Sequence, residues 1–117
     1  MIRITVAGEG SRIREVVCRG HAGYDDTGRD ILCAAVSALM VNAANSLERF
    51  TQDDLVVEEG DGDGYLMIRI NGTVSAEAGL LLKSLVLGLE TIRESYDEEF
   101  VRISYEGTDI HCCYQDS

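Results

Sequence analysis

Basic residues are scarce in this 117-residue chain: ten Lys and Arg stand against twenty-one Asp and Glu, for a net charge of −11. That scarcity argues against a nucleic-acid binder, because phosphate neutralisation needs clustered Lys and Arg. It suits a chain that repels itself or meets a basic partner. No apolar run approaches the ~20 residues that a bilayer crossing requires, so no membrane span is expected. A signal-peptide hydrophobic block is also lacking, since Met1-Ile2-Arg3-Ile4-Thr5-Val6 alternates instead. A cytosolic location is the expectation. Cysteines are too few for a disulfide framework: Cys18, Cys33, Cys112 and Cys113 read as reduced thiols.

The apolar share, 45%, suffices for one packed domain and excludes wholesale disorder. Alternation predicts a strand over residues 2–7 and a second over 12–19, paired as a hairpin across Gly8-Glu9-Gly10. The consecutive Val16 and Val17 break the alternation and suggest a bulge there. Residues 20–29 form a glycine-rich, charged connection. It is long enough to be a place to look for function.

Asp30 is expected to cap a buried helix reaching about Phe50, and residues 55–59 and 65–70 a second hairpin. Ser75 is the expected N-cap of a helix through Tyr96 with a core stripe of Ala78, Leu82, Leu85, Leu89, Ile92 and Tyr96. Leu80, Leu81, Val86 and Leu87 lie off that stripe and point to a partner surface, with a dimer as the expectation. A last strand is expected over 100–105. The domain then spans residues 1–106, followed by a loose tail, 107–117. The order ββαββαβ defines an α+β fold, a mostly antiparallel sheet packed with two helices.

The stretch from Gly20 to Cys33 concentrates the chemistry. It holds His21, one of only two histidines, and a cysteine near a helix start. With Asp30 as cap, Cys33 is the third helical residue, where unpartnered N–H groups stabilise a thiolate. Its pKa would fall from ~8.5 towards ~7 or below. The intervening chain is long enough to fold His21 onto the sulfur as general base. Cys33 in an apolar helix is also explained by simple packing. Composition and spacing leave both readings open.

The pattern Gly20-His21-Ala22, seven residues, then Asp30-Ile31-Leu32-Cys33-Ala34, resembles the signature of the ribosomal-processing cysteine proteases. The likeness continues through Ala35-Val36-Ser37 and the Leu-rich helix ending Glu90 to Tyr96, so it covers roughly residues 1–105. The resemblance implies a small cytosolic homodimer of α+β fold with no cofactor or metal. It implies removal of the N-terminal extension of large-subunit ribosomal protein twenty-seven, after a hydrophobic or aromatic residue. Cys33 would be the nucleophile and His21 the base; Gly20, Asp30 and Ser37 match other motif positions. The segment carrying Gly23, Tyr24 and Gly28 would order over the substrate peptide. The alternative is a non-catalytic acidic, ribosome-associated binding module. A thiol redox or metal protein using Cys33 with Cys112 or Cys113 is a third reading. For a metal, His111-Cys112-Cys113 lacks the partner pair that a closed zinc site needs.

Overall fold

The computed structural model describes residues 1–20, 27–60, 64–95 and 100–110. Seven elements follow the expected order: β1 (Ile2–Gly10), β2 (Arg12–Arg19), α1 (Thr27–Phe50), β3 (Asp54–Glu59), β4 (Leu66–Asn71), α2 (Ala76–Ser95) and β5 (Val101–Thr108). The sheet runs β3-β4-β2-β1-β5, and every neighbouring pair is antiparallel except β1 with β5. This is the α+β architecture expected.

Strand alternation sends one set of side chains to the helices. Ile2, Ile4 and Val6 of β1, Val16 and Cys18 of β2, and Ile68 and Ile70 of β4 are all buried. Helix α1 adds Leu32, Val36, Met40, Ala43 and Leu47 at three- and four-residue spacing, and α2 adds Ala78, Leu82, Leu85 and Leu89. The other sheet face carries exposed Arg3, Arg19 and Arg102. Burial of each large aliphatic side chain stabilises the fold by ~1.5–3 kcal/mol before entropy is counted.

Four expectations need correction. The irregularity in the first hairpin is not at Val16 and Val17, which pair in register with Val6 and Thr5. It falls where Ala7 faces Glu15 and Gly8 faces Ile13, leaving Arg14 as the extra residue. A Cβ on Gly8 would lie 1.9 Å from the Arg12 carbonyl oxygen, so the bulge needs glycine there. Arg14 in turn donates to the carbonyls of Ile70, at 3.0 Å, and Gly72.

Val86 is fully buried and Leu81 half-buried, so only Leu80 and Leu87 of the expected α2 partner surface are open. The last strand runs past Tyr105 to Thr108, tied to β1 by a 2.9 Å bond from the Asp109 N–H to the Gly10 carbonyl. Ile110 is buried, so Gly107 to Ile110 belong to the fold and not to a tail; residues 111–117 lie outside the described residues. By length and composition alone, Ile31–Phe50 is long and apolar enough to cross a membrane, contrary to the expectation. Its buried stripe here packs into the core beneath it.

The start of α2 is built as expected, with added support. Ser75 Oγ accepts the Ala78 N–H at 3.0 Å and donates to Asp53 Oδ1 at 2.6 Å, while the Ser75 N–H donates to Asp53 Oδ2 at 2.7 Å. Desolvation pushes the Asp53 carboxyl up. The hydrogen bonds from Ser75, with contributions from Thr51 and the Asp53 N–H, outweigh it and hold the pKa below its ordinary 3.8. A depressed carboxyl contributes stability above its unfolded pKa and loses it as pH falls through the folded value. Asp53→Ala is therefore expected to cost about 1 kcal/mol at neutral pH. Denaturant titrations should show that deficit shrinking below pH 4. A deficit constant to pH 2 would assign the loss to packing.

Candidate active site

Helix α1 places Cys33 and Ser37 one turn apart on one face, flanking the buried positions Leu32 and Val36. Cys33 is half-buried and packs against the core, and Ser37 is exposed. The helix begins at Thr27, one turn earlier than expected, so Asp30 lies within it and Cys33 is its seventh residue. Gly28, expected in the substrate segment, is helical too. The expectation placed the start at the first apolar residue. The first turn, Thr27 to Asp30, carries no apolar residue to mark it, and an acid there suits the helix dipole. Because that dipole fades within the first turn, the argument that it directly activates Cys33 is weakened.

His21, Gly23 and Tyr24 lie outside the described residues. Gly20, the last residue before them, has φ +93°, and a Cβ on it would sit 2.5 Å from the Met1 carbonyl oxygen. The backbone leaving β2 towards His21 is thus committed to a left-handed conformation against the start of β1.

Beside α1, the ends of three strands close a cavity of about 220 Å³, lined by Cys18, Ser37, Met40, Tyr65 and Leu66 among others. Cys18 sits at the end of β2 and is 7% exposed. Burial first, and the charge of nearby Cys33 second, push the Cys18 thiol from 9.0 up to about 11. The two sulfurs are therefore electrostatic neighbours, a proximity invisible in the sequence, where fourteen residues separate them. Tyr65 is covered by the Arg19 guanidinium, 4.8 Å from the ring centroid. Among the described residues no group of three metal-ligating side chains occurs, and His111-Cys112-Cys113 lies outside them.

The raised pKa makes Cys18 a poor nucleophile. At pH 8 only about one Cys18 in a thousand is a thiolate. Iodoacetamide labelling followed by peptide mapping is expected to modify Cys33 long before Cys18. Comparable labelling of the two would contradict the buried position of Cys18.

The sequence reading did not foresee the cavity, Tyr65 or Glu59 as parts of a site. They converge only through strand register, in which Cys18 pairs with Leu66 and Leu66 with Glu59. A half-buried cysteine on a core helix, one turn before the Ser37 that lines this cavity, is an arrangement that suits a thiol hydrolase.

The comparisons assign the particular family. The profile of the family described as Cysteine protease Prp matches residues 1–101, and the chain belongs to that family of cysteine proteases. The ribosomal processing cysteine protease Prp of Staphylococcus aureus is 33% identical over 105 residues, covering 90% of this chain and 97% of the relative. Its Bacillus subtilis counterpart is 28% identical over 83 residues, 68% and 74% of the two chains. The crystal structure of the S. aureus protease with a covalently linked product peptide superposes with a TM-score of 0.80 at 30% identity, over 90% of this chain and 99% of that one. A Streptococcus mutans protein gives 0.76 at 29% identity, over 93% and 96%.

Proposed function

We propose that this protease removes the N-terminal extension of large-subunit ribosomal protein twenty-seven, cutting after a hydrophobic or aromatic residue with Cys33 as nucleophile and His21 as base. The observation that carries the reading is the half-buried Cys33 on α1, one turn before the Ser37 that lines the cavity, in a chain similar to a protease captured with a covalently linked peptide. The relatives' names supply the ribosomal context, and the net charge of −11 favours encounter with a basic protein.

In this mechanism His21 takes the Cys33 proton, and the thiolate attacks the scissile carbonyl. The oxyanion is held by backbone N–H groups of the α1 first turn and of the segment before it, since the Cys33 N–H lies within the helical ladder. The imidazolium then protonates the leaving amine, and water hydrolyses the thioester. Asp30 and Gly20 position His21. Ser37 lines the peptide site, and the segment with Gly23 and Tyr24 closes over the bound peptide.

The protein works as a cytosolic homodimer in this reading. Only 28% of the apolar Ile31–Phe50 stretch is buried within the chain, and Ile31, Ala34, Ala38 and Val41 form an exposed stripe on α1. That stripe, rather than α2 alone, is the surface offered to a second copy.

The test is incubation of the purified protein with the ribosomal protein bearing its extension, followed by mass spectrometry. A single new N-terminus is the expected product. Binding of the extension without any cleavage would favour the binding-module alternative.

A further inference from the structure

The sheet face turned away from the helices concentrates positive charge in a chain that has little. Alternation puts Arg3, Arg19 and Arg102 there, since their neighbours Ile2, Ile4, Cys18 and Val101 are buried on the helix side. Arg3 pairs with Arg19 across the antiparallel β1–β2 ladder and with Arg102 across the parallel β1–β5 ladder. Three of the ten basic residues of the chain therefore stand in one transverse row on adjacent strands. The row spans about 10 Å from its first strand to its third.

That arrangement costs the fold stability, because like charges directly opposite one another destabilise a sheet. All three side chains are exposed, and no carboxylate offsets them. The ion pairs among the described residues join Arg14 to Glu9, Arg69 to Glu15 and Arg93 to Glu90 instead. On the same face of β2 and β5, Glu15 and Glu106 stand level with Ala7, four residues along β1 from Arg3. That is about 13 Å away, beyond the reach of unscreened attraction at physiological salt. At one end of the row Arg19 lies over the ring of Tyr65, 4.8 Å from its centroid. The ring restrains that guanidinium, whose exposed side offers a plane on which an aromatic base stacks.

We propose that the row of Arg102, Arg3 and Arg19 binds a nucleoside triphosphate, with the phosphates on Arg102 and Arg3 and the base stacked on Arg19 beside Tyr65. Guanidinium groups take phosphate oxygens through paired N–H donors, and the bound polyphosphate cancels the repulsion among the three side chains. A compact ligand suits this surface better than a long one. A chain of net charge −11 repels an extended nucleic acid everywhere outside the row. An acidic peptide spaces the carboxylates of one face about 7 Å apart, against about 5 Å between strands. The row faces away from α1 and Cys33, so this assignment goes beyond the endopeptidase reading and does not rest on it.

The experiment is isothermal titration calorimetry of the full chain with ATP and with GTP. Both are expected to fill one saturable site, since stacking tolerates any base, and the affinity should fall as salt rises. Tripolyphosphate, with no base to stack, should bind about 5-fold more weakly. Arg3→Gln and Arg102→Gln should each weaken the nucleotide by at least about 10-fold, the loss of a charge-assisted contact. Arg49→Gln, an equal change of charge at an exposed position of α1, should keep the wild-type affinity, as should Cys33→Ser. Melting without ligand separates a binding row from a structural one: Arg3→Gln, relieved of two like-charge neighbours, should melt no lower than the wild type. No binding up to millimolar nucleotide, or affinity unchanged in both row variants, would overturn the proposal. So would an oligoribonucleotide or a polyglutamate peptide that binds more tightly than ATP and GTP. None of these results touches the protease reading, which is tested by cleavage.

Discussion

Cys33→Ser is expected to lower peptide cleavage by at least ~10³-fold while leaving the fold intact, since replacing a nucleophile removes a step for which no other group substitutes. The substitution exchanges one small side chain for another at a half-buried position, so circular dichroism and melting should match the wild type. A serine hydroxyl in the same place is a far weaker nucleophile than a cysteine sulfur. His21→Ala should fall by ~10²–10⁴-fold, the usual contribution of acid–base catalysis, with its residual activity rising with pH as hydroxide deprotonates the thiol. Mass spectrometry of the new N-terminus reads all three proteins side by side. A fully active Cys33→Ser or Cys33→Ala protein would remove Cys33 from the mechanism.

The second large effect is expected from a residue with no side chain. Gly20→Ala places a methyl group 2.5 Å from the Met1 carbonyl oxygen and forces a φ of +93° on alanine. The strain, about 1–3 kcal/mol, is relieved only if the backbone moves, and the next residue along is His21. A displacement of an ångström in a catalytic group costs ~10²-fold in rate. Gly20→Ala is therefore expected to lose both stability and kcat/KM, with kcat taking the larger share. Gly10→Ala is the control. Its φ is +59° but nothing lies within 4 Å of the added carbon, so some stability should be lost and activity kept. Equal activity of the two variants would show that the backbone at Gly20 has no part in placing His21.

Much of this architecture was legible because apolar residues reveal their own period. The alternation of Ile2, Ile4 and Val6, the stripe from Ala78 to Leu89 and the cap at Ser75 all carry local signatures, and the structure places them as expected. The start of α1 was not legible, since Thr27 to Asp30 form a helical turn without an apolar periodicity to mark it. Nor was the extra residue at Arg14, which depends on where Gly8 meets the Arg12 carbonyl. The motif pointed to Cys33, but its surroundings come from distant segments. Cys18, Leu66 and Glu59 meet by cross-strand register, and no window of the sequence contains them together. Asp53 was similarly hidden: its role depends on Ser75, twenty-two residues away.

The parallel pairing of β1 with β5 imposes an order on biogenesis. Ile2 waits for Val101 as its neighbour, and Ile4 for Ile103; closing so long a loop is the slow, entropically costly step of assembling the sheet. During translation the first strand emerges early and keeps an unpaired edge until the last strand is made. The cavity beside α1 is lined instead from the ends of β2, β3 and β4, so the strands that wall it are made before β5. What β5 closes is the edge of the sheet and the core beside β1, where Val101 and Ile103 join Ile2 and Ile4.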